Sequence, residues 1–119
     1  MRSSFLKCKI HRATVTDADL SYEGSISVDP SLCEAAGLRE FERVEIYNCN
    51  NGARFATYVI HGKKNEICLN GAAARMVLKG DIVIIAAFVD LENDEVSKHR
   101  PNLVFVDEKN QIKTVTHAH

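Results

Sequence analysis

Tyr22-Glu23-Gly24-Ser25 sets a serine hydroxyl one residue downstream of a glycine carbonyl. Glycine lacks a Cβ, so it can hold a strained backbone and leave its carbonyl open to close approach. The Ser25 hydroxyl can reach that carbonyl through a five-membered ring, and attack there turns the amide into an ester. Elimination across Cα and Cβ of Ser25 would then break the chain and leave dehydroalanine. Hydrolysis of dehydroalanine yields a pyruvoyl group, a ketone at a new N-terminus. On its own the dipeptide is equally an ordinary turn, because glycine and serine are common and both favour turns.

Three further stretches carry groups suited to a small acid. They are Lys9-Ile10-His11-Arg12, Asn51-Gly52-Ala53-Arg54-Phe55-Ala56-Thr57-Tyr58 and Asn70-Gly71-Ala72-Ala73-Ala74. Each also has a plain structural reading: a solvated strand face, a hairpin and a capped helix start.

The elements that must position these groups are short. Alternation over residues 6–16 predicts a strand, with Leu6, Cys8 and Ile10 on one face and Lys7, Lys9 and His11 on the other. That second face is either solvated or able to receive a carboxylate. Residues 16–19 read as a turn and 26–28 as a strand. Asp29-Pro30 starts a helix that stops at Gly37. Two strands, 42–49 and 54–60, flank the hairpin signal Asn50-Asn51-Gly52, and a turn at 62–65 leads to a short strand over 66–69.

Asn70 reads as the N-cap of a short helix ending near Lys79-Gly80, with backbone N–H groups suited to an anion. Residues 81–89 are apolar on both faces and predict a fully buried strand; 91–100 are polar and partly helical. A last strand over 103–106 and a turn at 107–110 precede a ragged tail. Many short strands with a few short helices predict a mainly β chain, a small closed barrel.

The whole chain sets bounds. Its 119 residues make one domain, 1–119, small enough for association to help it. Fifteen basic against sixteen acidic residues give a net charge of -1, which offers no general field for nucleic acid or an anionic membrane. The longest apolar run, 82–89, is too short for a membrane helix, and the charged N-terminus is unlike a signal region, so a cytoplasmic protein is expected. Cys8, Cys33, Cys49 and Cys68 contain no C-x-x-C pair, so neither a metal site nor a disulfide framework is indicated. His117-Ala118-His119 reads as a disordered end, or at most a weak metal holder.

In order and spacing, the four motifs closely resemble the bacterial aspartate 1-decarboxylases. These are pyruvoyl-dependent enzymes that make β-alanine for pantothenate synthesis. The resemblance runs from about residue 5 to about residue 107. It implies a double-psi β-barrel in a homotetramer with sites between subunits. It also implies an inactive precursor that cleaves itself between residues 24 and 25, giving a β chain 1–24 and an α chain 25–119 headed by a pyruvoyl group from Ser25. That ketone would take up the amine of L-aspartate as a Schiff base and act as the electron sink for loss of the α-carboxylate.

The resemblance also assigns roles. Tyr58 matches the family's proton donor, and Lys9 and Arg54 match its carboxylate-binding positions, where a guanidinium suits bidentate recognition. Thr57 matches the helper in self-cleavage, a hydrogen bond to the Gly24 carbonyl, and later contacts substrate. Gly71, Ala72 and Ala73, with Asn70 before them, match the substrate loop; His11 and Tyr22 lie close to the site. Thr57 and Tyr58 are neighbours in a strand and should point to opposite faces. They share one site only through a bulge or at a subunit interface, and the interface is the expected answer. Three questions stay open: whether a maturation protein assists cleavage, whether glutamate is also accepted, and what the cysteines and the tail do. A non-catalytic barrel that binds a partner or DNA is the rival reading, with the lack of a basic excess weighing against DNA.

Overall fold

A computed structural model describes residues 1–117. Alternating apolar side chains make most of it strand. β1 (Arg2–Thr14) is the longest, flanked by β7 (Ile82–Glu92), antiparallel to it, and by β8 (Asn102–Val106), parallel to it. Cys8 and Ile10 are buried and alternate with half-buried Lys7, Lys9 and His11, while Leu6, expected on the buried face, is only half-buried. The reason is a register shift between Leu6 and Cys8. A second shift lies between Ile10 and Ala13, where Arg12 takes φ 62 and the alternation restarts with Ala13 and Val15 buried.

β2 (Asp17–Asp19) replaces the expected turn at 16–19 and pairs in parallel with β6 (Ile67–Asn70). Thr16 explains the difference. Its N–H donates to Ile67 O at 2.7 Å and its Oγ1 accepts from Ile67 N at 3.0 Å, which latches the segment to a distant strand. β3 (Ser25–Val28) lies between β6, antiparallel, and β5 (Arg54–His61), parallel. β4 (Arg43–Asn48) pairs with β5 through the hairpin at 50–52, where Gly52 has φ 77, and with β7 on its other side. With β9 (Ile112–His117) at one edge, the strand order is β2-β6-β3-β5-β4-β7-β1-β8-β9, a mainly β fold consistent with a small barrel. Ile10, Ile26, Ile46, Val59, Leu69 and Ile85 are fully buried in one hydrophobic cluster.

Two expectations are corrected towards the C-terminus. β7 is not buried throughout: Ile82 and Ile84 are half-buried and Phe88 is exposed. The tail from residue 112 forms β9 (Ile112–His117), antiparallel to β8. The turn before it is fixed by buried Asn110, whose amide accepts from Thr14 N and donates to Thr14 O and Asn65 O. His117 Nδ1 lies 2.7 Å from Asn102 Oδ1, while Ala118 and His119 fall outside the described residues, and with them the expectation of a disordered end. The polar stretch before β8 holds one 3-10 turn, Val96–Lys98.

α1 (Pro30–Ala36) has the expected bounds, with Gly37 at φ 81 closing it. Its cap, Asp29, is buried and accepts from Ser31 N and Ser31 Oγ, both at 2.8 Å, and from Asn65 N at 2.6 Å. Burial alone would raise the carboxyl's pKa, but these donors outweigh it and hold it below the ordinary carboxylate range. The stability it contributes is therefore full above that range and is lost as pH falls through the lowered value. Asp29→Ala should cost about 2 kcal/mol at neutral pH, read as a lower urea midpoint. The gap between variant and parent should narrow at acid pH; a constant gap would remove the carboxylate's charge from the explanation.

Candidate active site

β3 and β6 run antiparallel with Ser25 opposite Asn70 and Ser27 opposite Cys68. Residues two apart on a strand share a face. The pairing therefore gathers four polar side chains on one face, while the intervening Ile26 and Leu69 are fully buried in the core. Ser25 is 1% exposed and Asn70 3%. Asn70 Nδ2 donates to Ser25 Oγ at 2.9 Å and to Ser27 Oγ at 3.0 Å, and Ser25 Oγ donates to Glu23 O at 3.3 Å. The hydroxyl thus has its proton on a carbonyl and its oxygen under an amide donor. Asn70 is the last residue of β6, and its side chain does not cap the following 3-10 turn, Gly71–Met76, which ends short of the expected Lys79-Gly80. The antiparallel register has turned an expected cap inward, onto the serine.

The demand for glycine falls on Gly71. It has φ 63, and a Cβ there would lie 2.6 Å from Gly24 N, 2.7 Å from Gly24 Cα and 2.8 Å from Tyr22 O. Only a residue without a side chain lets the backbone at 22–24 lie against this turn. Gly24 itself shows none of the expected strain: its φ is outside the left-handed region and a Cβ would meet nothing within 4 Å. Gly24, Thr57, Ala72 and Ala73 line one surface cavity of about 300 Å³, with Phe55 and Met76 as apolar walls. One chain therefore brings together Gly24, Ser25, Thr57, Asn70, Gly71, Ala72 and Ala73.

The remaining expected residues stand elsewhere. β5 keeps an unbroken register against β4, with Thr57 opposite buried Val44 and Tyr58 opposite exposed Arg43, so there is no bulge to turn both inward. The Tyr58 ring lies 6.5 Å from that of Phe41. Arg54 is exposed, its guanidinium 3.9 Å over the Tyr47 ring. Lys9 faces Ala86 and Leu103 across its neighbouring strands and, among the described residues, makes no ion pair.

The three cations of β1 do not act as one receptor, because Lys7 Nζ is held by Glu42 Oε2 at 2.6 Å. His11 packs edge-on to Phe105 in a separate cavity with Arg12 and Lys113; burial, then Lys9 and Arg12, lower its pKa. Tyr22 is exposed. Sequence reasoning missed Ser27 and Cys68 as neighbours of Ser25, and the one signal for them is the period of two within 25–28 and 67–70, usable only once the register is known.

Fold and site together define a small β protein built around a buried serine that follows a cavity-lining glycine. The chain belongs to the aspartate decarboxylase family, whose model, described as "Aspartate decarboxylase", matches residues 1–113. Among similar proteins, an aspartate 1-decarboxylase of Bdellovibrio bacteriovorus is 64% identical over 94% of this chain and 90% of its own length. One from Syntrophus aciditrophicus is 61% identical over 95% and 99%, and one from Helicobacter pylori 57% identical over 94% and 97%.

Proposed function

We propose that this chain cuts itself between Gly24 and Ser25 and then decarboxylates L-aspartate to β-alanine and carbon dioxide, the step that supplies β-alanine for pantothenate. The observation that carries this reading is the buried Ser25 hydroxyl, held by Asn70 at 2.9 Å and following directly on Gly24, which lines one cavity with Thr57. In the cut, an Oγ–C bond forms at Gly24 as the peptide C–N bond breaks, and the hydroxyl proton passes to the Ser25 nitrogen. Thr57 donates a hydrogen bond to the Gly24 oxygen as it gains charge, and the Asn70 N–H stabilises the attacking oxygen. Loss of the Ser25 Cα proton with breakage of Cβ–Oγ frees residues 1–24 as a carboxylate and leaves dehydroalanine. Water adds, ammonia leaves, and a pyruvoyl group heads residues 25–119.

What supports such a group here is the residue it would come from, Ser25, buried directly after the Gly24 that lines the cavity. The pyruvoyl group supplies the electron sink for the charge left by carbon dioxide. Lys9 and Arg54 bind the substrate carboxylates, and Ala72 and Ala73 let the backbone approach it. Tyr58 gives a proton to the carbon that lost carbon dioxide. His11 and Tyr22 border the site.

Lys9, Arg54 and Tyr58 are not among the residues lining the cavity in one chain, and β5 has no bulge, which supports a second copy carrying them to Ser25. We place the sites between subunits of a homotetramer of one-domain, cytoplasmic chains; no helix among the described residues is long and apolar enough to cross a membrane. Cleavage with and without host extract tells whether a maturation protein takes part.

The test is product formation from aspartate and from glutamate. Aspartate should give β-alanine, and no turnover by cut protein would overturn the reading. Tyr58→Phe should cleave as the parent does and lose about 10²–10⁴-fold in β-alanine formation. Undiminished turnover would remove Tyr58 as the proton donor.

A further inference from the structure

The end of the Asn70 amide that faces Ser25 decides whether the serine oxygen receives a hydrogen bond. The two ends are alike in size and a half-turn exchanges them. Ser25 and Ser27 cannot choose between them, because a hydroxyl both donates and accepts. Cys68 can. Its Sγ lies 3.3 Å from Asn70 Oδ1, while its other acceptor, Leu69 O, is 3.9 Å away. With Oδ1 towards Cys68, one donor meets one acceptor and both Nδ2 hydrogens reach the serines. A flipped amide would instead set both hydrogens against one sulphur, a weak acceptor. Burial, then Glu66, Asp17 and Asp19 nearby, push the Cys68 thiol up to about 11, so it keeps the proton it must donate.

We propose that Cys68 is a positioning residue for self-cleavage, its S–H fixing the Asn70 amide so that Nδ2 faces Ser25 Oγ. With the amide reversed, Ser25 would donate to Asn70, and the attacking oxygen would lose its only side-chain donor among the described residues. The inference rests on the reading that the chain is cut at Gly24–Ser25.

Two substitutions separate donation from packing. Cys68→Val fills the space and cannot donate; Cys68→Ser donates but fills less. The cut fraction of each full-length chain is followed against time by intact mass, with circular dichroism melts to compare folding. Valine should slow cleavage by about tenfold and serine should stay within about threefold of the parent. If valine proves too disruptive to fold, Cys68→Ala gives the same contrast with serine. Valine matching or outpacing serine would show a packing role and overturn the proposal, as would equal rates in all three chains. The parent chain distinguishes the failures. If it is cut while valine keeps pace, only the Cys68 role falls. If it stays whole even with host extract, the cleavage reading falls and takes this inference with it.

Discussion

Ser25→Ala should leave one uncut chain of 119 residues that forms no β-alanine. The substitution removes one oxygen, and that oxygen is both the nucleophile towards Gly24 and the leaving group in the elimination, without which no dehydroalanine forms for water to convert to the ketone. Only a hydroxyl on residue 25 reaches the Gly24 carbonyl through a five-membered ring. Among the described residues, the groups hydrogen-bonded to it are the Asn70 amide and the Glu23 carbonyl, neither of which is a nucleophile. The fold should survive. Ser25 is buried, alanine is smaller, and Asn70 Nδ2 keeps Ser27 Oγ at 3.0 Å, so the loss is about 1 kcal/mol. Gel migration, an aspartate assay and a melt read all three outcomes. A variant cut at the same bond, or one that still decarboxylates aspartate, would sink the account.

Gly71→Ala should be nearly as damaging, and for a reason found only in the structure. An L residue at φ 63 costs about 1–2 kcal/mol before any contact is counted. Its methyl would then sit 2.6 Å from Gly24 N and 2.8 Å from Tyr22 O, both backbone atoms that cannot rotate away. The segment carrying the scissile carbonyl must move instead. A displacement near 1 Å at a reacting centre costs about 10²-fold, and cleavage should fall by about that factor while the sheet persists. The measurement is the cut fraction over time at matched far-ultraviolet circular dichroism. Cleavage at the parental rate would show that the 22–24 backbone need not lie against this turn.

Locally coded elements are legible in the sequence. Asp29-Pro30 and Gly37 give both ends of α1, and Asn50-Asn51-Gly52 gives the hairpin between β4 and β5. What depends on distant partners is not legible. β2 exists because Thr16 bonds to Ile67, and β9 follows a turn held by Asn110 on Thr14. Asn70 shows the same limit at the site, since its residue type suits a helix cap and a buried bridge equally. Only the register of β3 on β6 sends it to Ser25. Gly24, Thr57, Ala72 and Ala73, from three of the motifs, line one cavity. Tyr58 and Thr57 stay on opposite faces, as strand geometry requires.

The most direct test of the central claim is the intact mass of the purified protein after prolonged incubation, alone and with host extract. The account predicts two chains, residues 1–24 and residues 25–119, the larger carrying a pyruvoyl group in place of its N-terminal serine. One unbroken chain under both conditions, or a cut that leaves serine at the new N-terminus, would contradict it.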